Sequence, residues 1–349
     1  MAAGTPLRAG LIGLGAMGRH HARVLAGLDG VDLVAIADPG GDPHGRAAGQ
    51  EVVADVEALI RRGVDYAVVA CPTGLHLEVG LQLAEAGVAA LVEKPLADSL
   101  AGAQKLVDAF ESRGLVAGVG HIERYNPALQ SLRSRLEAGE LGEIYQVVTR
   151  RQGPFPHRIA DVGVVKDLAT HDIDLTAWVT GQPYAAVSAQ TFHKSGRPHE
   201  DMVAITAKLA GGPIVNHLVN WLSPHKERFT AVTGTRGCFI ADTLTADLTF
   251  HENGAHPMTW EALAAFRGVS EGDSTRFALD KREPLQVEHE RFRDAVLAGS
   301  APGAAGAGVA GAGEAAGIVT LREGMRTVEV AEAVLHSAAT STTIPVDPS

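Results

Sequence analysis

Five short, unbroken apolar runs mark the N-terminal third of the chain: Leu7–Ile12, Val31–Ala37, 64–70, 88–92 and 115–119. Between them lie longer stretches whose apolar residues recur at helical spacing, at 17–28, 76–86 and 99–113. Asp38-Pro39-Gly40-Gly41 stops the second run, Cys71-Pro72 the third, and Gly87 closes a helix. Strands that are apolar on both faces and alternate with helices predict a parallel sheet covered on both sides. Near residue 140 the period changes. Segments 144–151, 185–192, Met202–Leu209, 214–222, 228–234 and 238–250 alternate apolar and polar residues, the two-residue period of antiparallel strands. Two helical stretches follow, at 287–298 and 318–337. Residues 300–317 between them are almost all Ala and Gly, which reads as a flexible connection.

The fold class expected is therefore α/β. Residues 1–122 form a dinucleotide-binding domain, and 123–349 a second α/β domain with a large, open, antiparallel-rich sheet. The helix near 318–337 packs back on either domain. The length of 349 residues suits two domains. With 46% apolar and 20% charged residues, the chain has the composition of a globular enzyme. A net charge of −11 argues against a nucleic-acid-coating role. No apolar run reaches the roughly 18 residues of a spanning helix, and the N-terminus lacks a signal-peptide pattern. The two cysteines, Cys71 and Cys238, stand far apart and make neither a disulfide framework nor a zinc pattern. A cytoplasmic protein with no membrane or nucleic-acid partner is expected.

Gly13-x-Gly15-x-x-Gly18 directly follows a predicted strand and opens a predicted helix, and Asp38 ends the next strand. That context makes the glycines a dinucleotide site. Gly13 makes the turn, Gly15 admits the pyrophosphate and Gly18 lets helix pack on strand, with Ala16 and Met17 between them. The helix N-terminus supplies amide donors and partial positive charge. Asp38 accepts from ribose hydroxyls and repels a 2′-phosphate, so NAD is favoured over NADP. Cys71-Pro72-Thr73, with His76 just beyond, closes the third strand at the sheet edge that faces a ligand. There Thr73 is either a cofactor contact or a plain turn residue, and Cys71 reads as packing.

Glu93-Lys94-Pro95 ends the fourth strand at the same edge. An ammonium brought there is costly to desolvate unless it is used, and the proline fixes the Lys94 backbone as extended. Farther along, Asp167, His171 and Asp174 would share one helix face at i, i+4 and i+7. A carboxylate one turn from a histidine sets its tautomer and supports its proton affinity. The bland alternative is a solvated acidic stripe. A metal site is not indicated, because further ligands are missing.

Taken in order, Gly13–Gly18, Asp38, Cys71-Pro72-Thr73, Glu93-Lys94-Pro95 and Asp167-x-x-x-His171 resemble the glucose–fructose oxidoreductase / inositol dehydrogenase / rhizopine-catabolism (Gfo/Idh/MocA) superfamily over nearly the whole chain. The resemblance implies a Rossmann domain, with Glu93 and Lys94 beside the cofactor and Lys94, Asp167 and His171 around the reacting carbon. It also implies a second-domain sheet that mediates assembly, hence a homodimer or homotetramer. Residues 119–127 and 154–167 resemble more narrowly the branch containing UDP-N-acetylglucosamine 3-dehydrogenases.

Expected from this is an NAD-dependent dehydrogenase acting on a secondary alcohol of a sugar, at C3 of a UDP-N-acetylhexosamine or a related nucleotide sugar. Lys94, Arg124, Tyr125, Asn126, Arg158, Asp167 and His171 would contact the substrate, and arginine forks suit pyrophosphate oxygens. Whether Lys94 or His171 is the general base stays open. An inositol, free sugar or sugar phosphate is the alternative substrate, and a dinucleotide-binding regulator without turnover is the alternative class.

Overall fold

The structure, a computed structural model, describes residues 5–47, 49–155, 162–254, 271–299 and 317–348. The chain divides into two compact units. Unit 1 is Met1–Ile122 with Glu283–Glu329, and unit 2 is Glu123–Arg282 with Val330–Ser349.

Unit 1 is built on β1 (Leu7–Ile12), β2 (Val31–Ala37), β3 (Val52–Val53), β4 (Tyr66–Val69), β5 (Ala89–Glu93) and β6 (Ala117–Gly120). They form one parallel sheet in the order β3-β2-β1-β4-β5-β6. The chain winds one way from β1 to β3 and the other way from β4 to β6. The switch between β1 and β4 opens a crevice at their C-terminal ends, where such sheets bind ligands. Every residue of β4 and β5 is buried, as continuous apolar runs require. Helices α1 (Gly18–Ala26), α2 (Val56–Ile60), α3 (His76–Glu85) and α4 (Leu100–Glu111) connect the strands. Asp55 caps α2 by accepting from the Ala58 amide at 2.7 Å, and Ser99 caps α4 through Gly102 at 3.2 Å.

A later helix, α7 (Pro284–Gly299), also belongs to unit 1. The sequence reading left only the helix near 318–337 open to either domain and placed this earlier helix in the second, so its place in unit 1 differs from that reading. Burial is the reason. Phe292, Ala295 and Val296 sit in one apolar cluster with Leu7, Leu11, Leu25 and Tyr66. The Phe292 ring stands edge-on to Tyr66 at 5.5 Å. Val319 then adds to the far edge of the sheet, its carbonyl accepting the Val119 amide at 2.9 Å. The last helix, α8 (Leu321–Thr340), gives its first turns to unit 1 and the stretch from Val330 to unit 2.

Among its described residues unit 2 carries α5 (Pro127–Glu137), α6 (Thr170–Thr180) and nine strands: β7 (Ile144–Gln152), β8 (Tyr184–Phe192), β9 (Met202–Leu209), β10 (Ile214–Asn220), β11 (Glu227–Gly234), β12 (Gly237–Asp242), β13 (Asp247–Asn253), β14 (Glu271–Arg276) and β15 (Ile344–Pro345). They form one sheet in the order β14-β13-β12-β11-β7-β10-β9-β8-β15. Only β7 and β10 pair in parallel; all other neighbours are antiparallel. In β9 the alternation is complete: Val203, Ile205, Ala207 and Leu209 are buried and their neighbours are not. Those residues pack with Leu129 and Leu132 of α5 and Ile173, Leu175 and Val179 of α6. Segment 238–250, read as one alternating stretch, is two strands. Asp242 folds the chain back by accepting the Leu244 amide at 2.8 Å, and Ala246 takes φ 53°. Of the Ala/Gly-rich connection, residues 300–316 lie outside the described residues.

Candidate active site

In unit 1 the glycine loop is shaped by close approach. Gly13 has φ 94°, and a Cβ there would lie 2.7 Å from the Ala70 carbonyl oxygen. A Cβ on Gly18 would overlap the Gly13 carbonyl oxygen, so the start of α1 can meet the loop only without one. At Gly15 a Cβ would meet nothing within 4 Å. Its backbone faces open space at the helix start, as a bound pyrophosphate needs. Ala16 and Met17 complete the turn into α1. Asp38 binds this loop to the end of β2: Oδ2 accepts the Leu14 amide at 2.7 Å and Oδ1 the Gly40 amide at 2.8 Å. Each oxygen keeps a second lone pair for a ribose hydroxyl. These residues fit a dinucleotide.

Cys71, Pro72 and Thr73 follow β4 at the same edge, and Thr73 starts a short 3-10 turn. Burial pushes the Cys71 thiol up to about 11, so it stays neutral. His76 is buried, its Nδ1 2.9 Å from the Pro95 carbonyl and its Nε2 3.1 Å from the Cys71 carbonyl. Burial lowers its pKa, and a neutral ring donates to only one of the two carbonyls. The ring thus lies between the turn after β4 and the turn after β5, with its one N–H given to one of the two carbonyls. At the end of β5, Glu93 is buried while Lys94 is half-buried and precedes a cis proline. Burial opposes charge on Glu93, yet the hydrogen bond from His21 holds its pKa below the ordinary value.

In unit 2 the helix predicted through Asp167 and His171 begins differently. Val165–Ala169 is a π-helical turn that runs into α6. The wider turn breaks the regular spacing of the predicted acidic face, and such turns recur at functional sites. Asp167 is buried in the π turn and His171 is half-buried in the first turn of α6. Asp174, predicted to share their face, is committed elsewhere. Its carboxylate takes a two-pronged ion pair from Arg124, Nε to Oδ2 at 2.9 Å and Nη2 to Oδ1 at 2.6 Å.

That pair counts against the sequence expectation for Arg124. Arg124 is buried and its fork is spent on Asp174, so it does not reach for a pyrophosphate. Tyr125 is buried in the same way. Asn126 caps α5, accepting the Ala128 amide at 3.0 Å and donating to the Thr243 carbonyl at 3.0 Å. Arg158 lies outside the described residues.

Sequence reasoning missed a second buried group. Arg151 of β7 donates to Asp172 at 3.1 Å and to Glu123 at 2.7 Å. Burial pushes the Asp172 carboxyl up to about 6 despite that partner. Arg228, on the neighbouring β11, donates to the carbonyls of Gln152 and Glu227 at 2.8 Å. Burial, and then the charge of Arg151, lower its pKa. An inward position two residues past Thr149 and four past Val147 was the signal for Arg151; for Arg228 the sequence carried none.

A doubly wound sheet with a glycine-opened helix and an acidic residue ending β2 defines an NAD-binding Rossmann domain, here followed by a large mixed sheet. Residues 7–121 match the family model described as "Oxidoreductase family, NAD-binding Rossmann fold", and residues 129–240 match the GFO/IDH/MocA C-terminal domain. The chain belongs to the Gfo/Idh/MocA oxidoreductase family. It is 28% identical to the UDP-N-acetylglucosamine 3-dehydrogenase of Acidithiobacillus ferrooxidans, over 84% of this chain and 89% of that protein. It is 29% identical to inositol 2-dehydrogenase 2 of Saccharopolyspora erythraea, over 97% of this chain and 95% of that protein. The solved structure of the Acidithiobacillus enzyme superposes with a TM-score of 0.78 at 26% identity, covering 96% of this chain and 98% of that one. Among the described residues, no helix is long and apolar enough to cross a membrane, and no cluster of His, Cys, Asp and Glu could hold a metal ion.

Proposed function

We propose that the chain oxidises a secondary alcohol of a sugar, at C3 of a UDP-linked N-acetylhexosamine, with NAD preferred to NADP. The observation that carries the substrate is the likeness to a UDP-N-acetylglucosamine 3-dehydrogenase over most of both chains. NAD, when bound, accepts the hydride. The loop that Gly13 and Gly18 shape and Gly15 leaves open would hold its pyrophosphate, and Asp38 would hold the adenosine ribose. Lys94 as an ammonium stabilises the alkoxide that develops on the sugar, and His171 takes the hydroxyl proton with Asp167 orienting its ring. The reverse assignment, with neutral Lys94 as base, uses the same residues. Because Arg124 is spent on Asp174, a pyrophosphate anchor has to come from other residues, Arg158 among the candidates.

A second reading, an inositol dehydrogenase, is favoured by the match to inositol 2-dehydrogenase 2 over nearly the full length of both chains. A panel of UDP-sugars, sugar phosphates and inositols, followed by NADH absorbance, separates the two. Turnover highest on a UDP-N-acetylhexosamine supports the first reading; an inositol outperforming every nucleotide sugar overturns it. We also propose a homodimer or homotetramer through the face of the unit 2 sheet that carries Ile214 and Leu218, both exposed. Light scattering that gives the chain mass of 36.3 kDa at micromolar concentration would remove this idea.

A further inference from the structure

Unit 1 buries a set of titratable side chains that the chemistry above leaves unused. His21 of α1 is fully buried, with Nε2 2.9 Å from Glu93 Oε1 and Nδ1 2.8 Å from His289 Nε2 of α7. The other oxygen of Glu93, Oε2, accepts the amide of Lys94 at 3.1 Å. His289 and its neighbour Glu288 are buried as well. Neither oxygen of Glu288 nor Nδ1 of His289 has a hydrogen-bond partner among the described residues. Two histidines and two carboxyls in a core are costly to desolvate, and apolar residues of like size would pack there without that cost.

The four groups lie on three elements that the sequence separates widely, and the line they make ends on the main chain of Lys94. We propose that His289, His21 and Glu93 form a buried proton-holding chain that fixes the carboxylate of Glu93 against Lys94, which makes His21 and His289 positioning residues. The inference rests on the role given to Lys94 under the proposed function.

Counting protons shows what the chain can do. With both rings neutral, His21 donates from Nε2 to Glu93 and accepts at Nδ1 from His289. With one more proton, His21 donates from both nitrogens, and His289 accepts at Nε2 while carrying its own proton on Nδ1. Both hydrogen bonds survive in either state, so the chain changes charge by one unit without moving. Other charged groups set the balance. Lys94 on β5 favours the anion of Glu93, and His76 of α3 faces it. Burial and then the charge of Glu93 raise the Glu288 carboxyl well above its ordinary range. Burial and then His21 hold His289 well below the usual histidine range. His20, on the same helix as His21, stands near Arg19 and Arg23.

The test compares His289→Leu, which ends the chain, with His289→Gln, whose amide can still bond to His21. Expected for His289→Leu is a kcat lower by about ten-fold, the equivalent of one buried hydrogen bond. The pH–kcat profile shifts, while sugar KM and cofactor Kd stay within about two-fold. His289→Gln restores kcat. A kcat unchanged in His289→Leu, or equal losses in both variants that track lost stability, overturns the proposal. Should His289→Leu fail to fold, nitrogen NMR of histidine-labelled wild-type enzyme decides. Coupled titration of two rings that is abolished in Glu93→Gln supports the chain. Independent titration of His21 overturns it alone, whereas Lys94→Ala with turnover retained overturns the parent reading of Lys94.

Discussion

Units 1 and 2 place their chemistry by different means. In unit 1 the positions proposed to face ligand are set by main chain: Gly13 and Gly18 by close approach, and Asp38, Thr73 and Lys94 by following the ends of β2, β4 and β5. In unit 2 charged side chains are set by other charged side chains. Arg124 is locked to Asp174, Arg151 to Asp172 and Glu123, and Arg197 to Asp201. A parallel sheet presents one edge to a ligand, so strand order alone locates a site. An antiparallel sheet has no such edge, and the charges that unit 2 buries beside its apolar core are held in ion pairs that are costly to break.

The sharpest way to test that contrast is at Lys94. If strand-end placement marks the catalytic position, Lys94→Ala should lower kcat by about 10²–10⁴ and leave cofactor affinity unchanged. Steady-state rates on the best substrate of the panel, with calorimetry for NAD, read both. Near-wild-type turnover would mean the edge is not where the chemistry lies.

In unit 2 the expectation is reversed, with the loss falling on stability. Arg124→Met should destabilise the protein by about 3–5 kcal/mol, because the buried Asp174 carboxylate loses its guanidinium counter-charge. Urea unfolding measures it. A stable variant with a raised sugar KM would instead return Arg124 to the substrate.

Acid should strike the same kind of network. Asp201 is buried and accepts the Lys194 amide at 2.6 Å, the Ser195 amide at 2.7 Å and Trp221 Nε1 at 2.9 Å. Burial opposes its charge, but these donors hold its pKa well below the usual carboxylate range. A depressed carboxyl contributes stability that is present above about pH 4 and lost as pH falls through its folded value, here roughly 2–3 kcal/mol. Asp201→Asn should flatten that part of the stability–pH curve. An unchanged acid limb would show that the network is not what acid breaks.

The smallest expected effect is at Asp38. Asp38→Ala should narrow the gap between NAD and NADP affinities, because the carboxylate that repels a 2′-phosphate is gone. Calorimetry with both cofactors reads it, and wild-type protein that prefers NADP would refute the premise.

Much of unit 1 was readable in advance, and the reason is local. A Gly-x-Gly-x-x-Gly turn, a strand that ends in Asp38 and an apolar run that ends in Glu93-Lys94 each state their geometry within a few residues. The alternating strands of unit 2 were readable for the same reason. Arg124 was misread because a lone arginine in a polar stretch looks exposed, and nothing near it in sequence names Asp174 as its partner. The π turn at 165–169 was read as regular helix, since its residues have ordinary helical spacing.

By itself the sequence determined the α/β plan and the glycine loop, because hydrophobic period and glycine placement act over a few residues, and its motifs taken in order carried the resemblance to the family. Tertiary structure alone decided which charges are spent inside. It brought Asp174 to Arg124, Asp172 to Arg151, and α7 with His289 to His21, since a buried charge is satisfied by whatever partner the fold delivers, however far away in the chain.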